Sequence, residues 1–273
     1  MPTVQAHNAL LLIGVGRMGG ALAEGWFTQG IRPITLVEPD DAVRAHWQAK
    51  GIKSYATLEQ CPRDLSADTV ILAIKPPHVA PLLEQCRGRF ARNTVFLSMA
   101  AGVSTATMRQ ALADARAIIR CMPNLPAMVG EGIFGAFADS CSDAQRAATH
   151  NLLTVLGPVV WLEQETQMDA LTALSGSGPA YVFHLIEAME EGGVALGLPK
   201  NQARLLALQT VKGAALLAAQ SNHSAAELRA QVTSPNGTTQ AAFEVLLQEP
   251  HSLASLLKDA MAAAARRSKE MAG

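Results

Sequence analysis

Two stretches of this 273-residue chain combine residue types and spacings suited to chemistry. The first, Gly14-Val15-Gly16-Arg17-Met18-Gly19, is G-x-G-x-x-G. It follows an apolar run and precedes a helical stretch from about Met18 to Gln29. In that context the first glycine permits a tight turn. The second lets a pyrophosphate approach the backbone, and the third lets helix pack on strand. Free N–H groups and the helix dipole then face the anion. The alternative is a turn that merely joins strand to helix. The second stretch runs from Val232 to Thr239 and puts four hydroxyls and a glycine in one turn before a helix. Uncapped N–H groups beside hydroxyls suit a small anion such as a substrate carboxylate. A well-capped helix without a ligand would read the same way.

Three further segments follow apolar runs: Ala73-Ile74-Lys75-Pro76, Ser98-Met99-Ala100-Ala101-Gly102 and Met122-Pro123-Asn124-Leu125-Pro126. Lys75 offers a charge, the small residues leave room for a flat ring, and two prolines fix Asn124. Glu38 ends the second apolar run, close to the roughly 20-residue spacing at which an acid takes a ribose 2′-OH. A carboxylate there favours NADH over NADPH, whereas Arg17 could offset it by reaching a 2′-phosphate. Either cofactor therefore stands open.

These segments need a scaffold. Short apolar runs begin near Ala9, Ile34, Thr69, Thr94 and Ala117, and each is followed by a helical or turn-rich segment. Strands apolar on both faces, alternating with helices, indicate a parallel, doubly wound α/β sheet. Past Trp161 the pattern turns helical, at Ala180–Leu196, Lys200–Ala219, 238–248 and 252–270. The expected division is residues 1–160 as a dinucleotide-binding α/β domain and 161–273 as an all-α domain. Small residues crowd 203–219, and a helix apolar on most faces is usually buried. That predicts a partner subunit, with an ordinary monomeric core helix as the alternative.

Composition narrows the function. The net charge is −1, so no global field attracts nucleic acid, and aromatics are only 4%. No run approaches the roughly 18 apolar residues of a membrane helix. The four cysteines lack C-x-x-C spacing, and the first 30 residues lack a signal-peptide pattern, so a reduced, cytoplasmic compartment is expected. The histidines show no metal spacing, and no metal is expected.

Taken in order, GVGRMG, AIKP, SMAAG, RCMPNLP, ALSGSGPAYVF and VTSPNGTT resemble pyrroline-5-carboxylate reductase from about residue 10 to 268. The resemblance implies a Rossmann-like amino-terminal domain and a helical dimerisation domain. It implies reduction of 1-pyrroline-5-carboxylate to L-proline, the last step of proline biosynthesis, with NADPH or NADH. The partner would be a second copy, giving a homodimer through the carboxy-terminal helices, with dimers able to assemble further. The cofactor would then contact Gly14, Val15, Gly16, Arg17, Met18, Gly19, Ala73, Ile74, Lys75, Pro76, Met99 and Ala101, with Glu38 at the ribose. Ser234, Gly237, Thr238, Thr239 and Asn124 would meet the substrate. Thr239 would lie near the imine nitrogen, either orienting it, passing a proton through water, or accepting the N–H of a protonated imine. Arg17 departs from the family's usual Asn, and Asn236 stands for the first glycine of P-G-G, where Asn tolerates positive φ. A hydroxyacid dehydrogenase would want a lysine base, and no lysine of the second half sits in a glycine-rich motif. A non-catalytic dinucleotide sensor would not need the Ser234–Thr239 turn.

Overall fold

A computed structural model describes residues 9–272, and the chain divides into two compact units, Met1–Gly176 with Ala264–Gly273, and Ser177–Ala263. In the first unit the elements run β1 (Leu10–Ile13), α1 (Arg17–Thr28), β2 (Ile34–Val37), α2 (Asp41–Ala49), β3 (Lys53–Tyr55), β4 (Thr69–Leu72) and α3 (Val79–Gln85). There follow β5 (Val95–Ser98), α4 (Thr105–Leu112), β6 (Ile118–Met122), β7 (Phe134–Asp139), α5 (Asp143–Leu153), β8 (Val159–Trp161) and α6 (Met168–Leu171). The eight strands form one sheet in the order β3-β2-β1-β4-β5-β6-β7-β8. All neighbours are parallel except β6 and β7.

The burial explains the unbroken apolar runs. Leu10, Leu12, Leu36, Ile71, Leu97 and Ile119 join one core, with Trp26 of α1. Leu11, Ile13, Val37, Val70, Leu72, Phe96 and Ile118 join another. Successive side chains of a strand point to opposite faces, and here helices cover both, so these strands are apolar on both faces apart from the buried Thr35, Thr69, Ser98 and Arg120. Trp26 Nε1 donates to Leu152 O at 2.8 Å, pinning α1 to α5.

The apolar-run criterion finds the five central strands and passes over three. β3 and β8 are three-residue edge strands with half-exposed or exposed side chains. β7 carries Gly135, where a Cβ would fall 1.9 Å from Leu171 Cδ1. A strand that packs a glycine under a leucine shows no continuous hydrophobic signal.

The second unit contains α7 (Gly178–Ala195), α8 (Lys200–Gln220), α9 (Ala225–Gln231), α10 (Thr238–Leu246) and the start of α11 (Leu253–Ala272). Pro179 sits in the first turn of α7, where its missing N–H is harmless. Gly197 at φ +98° breaks α7 from α8. The helix α9 escaped the periodicity reading, although Ser224 and Glu227 form a capping box that marks its start. In this unit only Ala203, Ala207 and Ser252 are buried. Leucines 205, 206, 208, 216 and 217 of α8 are all exposed.

The hydropathy pattern changes near residue 160, and the break between compact units comes after Gly176. The intervening stretch buries Met168 and Ala173, and Leu171 packs on Gly135, so it belongs structurally with the sheet. The end of α11 does too: the buried Ser268 donates through Oγ to Asp169 Oδ1 at 2.7 Å. No helix among the described residues is long and apolar enough to cross a membrane.

Candidate active site

The strand order reverses between β1 and β4, and in open α/β sheets ligands bind at the carboxyl ends beside such a switch. Gly14 leaves β1 at φ +90°, with its N–H donating to Val37 O at 2.8 Å. A Cβ on Gly14 would lie 2.5 Å from Ala73 O, at the end of the neighbouring β4. A Cβ on Gly19 would lie 2.0 Å from Gly14 O. Protein backbone therefore demands both glycines.

Gly16 is different. It is the N-cap of α1 at φ −69° and ψ −158°, a conformation open to any residue. A Cβ there would meet nothing within 4 Å. Nothing in the protein requires this glycine, so the space beside it fits a ligand that approaches the backbone. No side chain caps α1, and its first N–H groups remain free for an anion. These residues fit a dinucleotide pyrophosphate.

Glu38 is half-buried at the end of β2. Its Oε2 accepts the Val15 N–H at 2.6 Å, and Oε1 accepts the Asp40 N–H at 3.1 Å. The carboxylate is thus locked beside the glycine loop, where further lone pairs can take a ribose hydroxyl. Sequence reasoning gave Glu38 the ribose alone and missed its hold on the loop. It also missed Arg44, whose Nη1 donates to Glu38 O at 2.6 Å and Pro39 O at 2.7 Å and which pairs with Asp41. A cation one turn into α2 carries no motif, and only the fold brings it to this strand end.

The other predicted contacts of the first unit emerge at neighbouring strand ends. Ala73 donates its N–H to Ile13 O at 2.9 Å, and Lys75 is exposed at the start of a short turn of helix over Pro76–His78. Met99 is buried and Ala101 half-buried in the loop after β5. Asn124 follows β6, where its Oδ1 accepts the Ile133 N–H at 3.0 Å, leaving its amide N–H groups. Arg17 is exposed in the first turn of α1, and Met18 is half-buried behind it. Behind this row lies a buried polar cluster. Arg120 Nη1 pairs with Glu165 Oε1 at 3.0 Å, and Glu165 also accepts the Thr105 N–H at 2.9 Å and hydroxyl at 2.6 Å.

The Ser234–Thr239 turn belongs to the second unit. Thr233 Oγ1 donates back to Arg229 O at 2.7 Å, so one of the four hydroxyls is spent within α9 and its turn. Asn236 takes φ +59°, a left-handed conformation that Asn tolerates better than most residues. Its N–H donates to Gln240 Oε1 at 2.8 Å. Gly237 donates to Ser234 O at 3.0 Å, and a Cβ on it would fall 2.4 Å from Ser234 Oγ. A side chain at this position would push the Ser234 hydroxyl out of its place. Gly237 caps α10 without any side-chain hydrogen bond. Ser234, Thr238 and the half-buried Thr239 thus sit around an uncapped helix start. Hydroxyls and free N–H groups together can hold a carboxylate.

Comparison with known proteins gives one consistent picture. Residues 165–271 match the family described as pyrroline-5-carboxylate reductase dimerisation. Residues 9–102 match the family described as NADP oxidoreductase, coenzyme F420-dependent. The chain is 36% identical over 265 residues to pyrroline-5-carboxylate reductase of Pseudomonas aeruginosa, covering 96% of each. It is 34% identical to that of Arabidopsis thaliana, covering 95% of this chain and 94% of the other. In structure it is similar to a pyrroline-5-carboxylate reductase from Coxiella burnetii (TM-score 0.90, 34% identity, 97% and 98% covered). It is also similar to pyrroline carboxylate reductase of Plasmodium falciparum with NADP bound (TM-score 0.83, 26% identity, 98% and 99% covered).

Proposed function

This chain belongs to the pyrroline-5-carboxylate reductase family, and from that premise we propose how its residues divide the work. The protein reduces 1-pyrroline-5-carboxylate to L-proline with NAD(P)H. The reduced nicotinamide supplies a hydride for the imine carbon, and the protein supplies position and field.

In our reading Gly14 to Gly19 hold the pyrophosphate against the start of α1. Glu38 takes a ribose hydroxyl, while Arg17 and Arg44 are the cations at hand for a 2′-phosphate. Ala73 to Pro76, Met99 and Ala101 line the rest of the cofactor's path, and Asn124 offers its amide to the substrate. Ser234, Gly237 and Thr238 hold the substrate carboxylate at the start of α10. Thr239 aligns the ring nitrogen, since a threonine hydroxyl is too weak an acid to protonate it unaided. Residues 1–160 carry the dinucleotide, and 161–273 carry the substrate turn and the subunit contact.

Exposed leucines along α8 and a domain family described by dimerisation support a homodimer through these helices. An apolar helix surface of this extent is an interface. Four free cysteines, three of them buried, suit a reducing cytoplasm.

The observation that carries the cofactor assignment is Gly16, a glycine that the protein's own packing does not need. The test of the whole reading is oxidation of NADH and NADPH, followed by loss of their absorbance, with 1-pyrroline-5-carboxylate added. Turnover that depends on the imine is expected, and its absence with both cofactors would overturn the assignment.

A further inference from the structure

We propose that the opposite end of the parallel strands carries a second anion site, which takes a phosphate dianion, free or as a small ester. The turns that follow α3 and α4 enclose a cavity of about 480 Å³. Both turns lead into the amino ends of the parallel neighbours β5 and β6. The glycine loop and its companions leave the carboxyl ends, so the two sites lie at opposite ends of the strands of the same sheet.

Three arginines line this cavity, Arg87, Arg92 and Arg116, against one carboxylate, Asp114. Arg116 is the central observation. It is only 7% exposed, with its guanidinium carbon 5.7 Å from the Phe96 ring centre. Its Nε lies 2.7 Å from Asp114 Oδ2, and its buried Nη1 has no hydrogen-bond partner in the protein. A buried charged donor without an acceptor is strongly unfavourable, and an anion in the cavity would remove that penalty. Arg87 is fixed on the wall by its Nε, which donates to Ala111 O at 2.7 Å, while its Nη2 lies 3.5 Å from Glu84 Oε1. Arg92 is exposed and forms no ion pair among the described residues. Planar guanidinium forks match phosphate oxygens better than they match a point anion.

The wall also limits what the phosphate can carry. Its remaining residues are Gly88, Leu112, Ala113 and Ala115, with no aromatic ring on which a base could stack. The volume exceeds that of the bare ion and leaves room for the carbon chain of a small ester.

Thermal unfolding of the full chain tests this, in phosphate, in glycerol 3-phosphate and in chloride of equal ionic strength. Wild type is compared with Arg92→Glu, a change at an exposed side chain, and with Arg116→Gln. Saturating phosphate should raise the wild-type Tm by roughly 3 °C or more. The rise should vanish in Arg92→Glu and in Arg116→Gln. A larger rise with the ester identifies a metabolite as the ligand, and an equal rise identifies the free ion. A rise that survives intact in Arg92→Glu puts the ion elsewhere, for instance at the glycine loop, and overturns the proposal. Equal stabilisation by chloride overturns it too, because it would show charge screening alone.

Discussion

Replacing Gly16 by alanine should separate stability from cofactor binding, and the same change at Gly19 should not. At Gly16 the added Cβ meets nothing within 4 Å, and the backbone already has negative φ. Losing a glycine N-cap costs about 0.5–1 kcal/mol, while removing glycine's freedom from the unfolded chain returns about 0.4–1 kcal/mol. The two offset, so the midpoint of chemical unfolding should stay within about 1 kcal/mol of wild type. At Gly19 the Cβ would sit 2.0 Å from the Gly14 carbonyl oxygen, which is backbone and cannot swing aside. Overpacking of that kind costs about 1–3 kcal/mol, or roughly 3–10 °C in Tm for a protein of this size. Binding should reverse the ranking of severity relative to folding. A methyl group in the space held for the pyrophosphate should weaken NADPH by about 2–3 kcal/mol, which is roughly 30–150-fold in Kd. Nicotinamide fluorescence measures that constant directly. Two results would refute the reasoning: Gly16→Ala as unstable as Gly19→Ala, or Gly16→Ala binding the dinucleotide like wild type.

Other expectations follow from particular contacts. Glu165→Ala strands the buried Arg120 charge and should cost about 3 kcal/mol or more, so an unchanged urea midpoint would show the pair to be idle. Thr239→Ala should lower kcat by about 10²–10³ with the KM for the dinucleotide unmoved, and Thr239→Ser should recover much of the loss. Glu38→Ser removes a carboxylate from beside the glycine loop and should shift the ratio of kcat/KM values toward NADPH; a constant ratio would dismiss the ribose assignment. Burial pushes the Cys86 thiol up to about 12 and Cys141, beside Asp139, up to about 11, and raises Cys61 and Cys121 as well. Their stabilising effect is complete below the ordinary thiol value of 9.0 and is lost above it, as the unfolded chain ionises first. Stability should therefore fall as pH rises from 9.0, and iodoacetamide below pH 9 should label these thiols quickly only in denaturant.

The parts legible in the sequence share a physical character. The five central strands are covered on both faces, and that condition alone produces their unbroken apolar runs. The glycine loop is legible because backbone collisions at Gly14 and Gly19 forbid every other residue. Asn236 is legible because few side chains accept its positive φ. What escapes the sequence depends on partners distant along the chain. Nothing near Gly135 announces Leu171, and nothing near Glu38 announces Arg44 or the Val15 N–H. The edge strands β3 and β8 escape for a different reason, since half their surface faces water and carries no hydrophobic pattern.

The return of α11 has a consequence in time. Ser268 and the backbone of Met271 pack against Asp169 and Gly102, so residues made late complete the unit begun before them. A Cβ on Gly102 would lie 2.9 Å from Met271 O, which shows how closely the late segment is seated. At roughly 5–20 residues per second, the ribosome needs about 5–20 s to pass from Gly176 to Ser268. During that interval the loop after β5 lacks its cover. The nascent enzyme thus finishes its first domain only after synthesis has passed through the second.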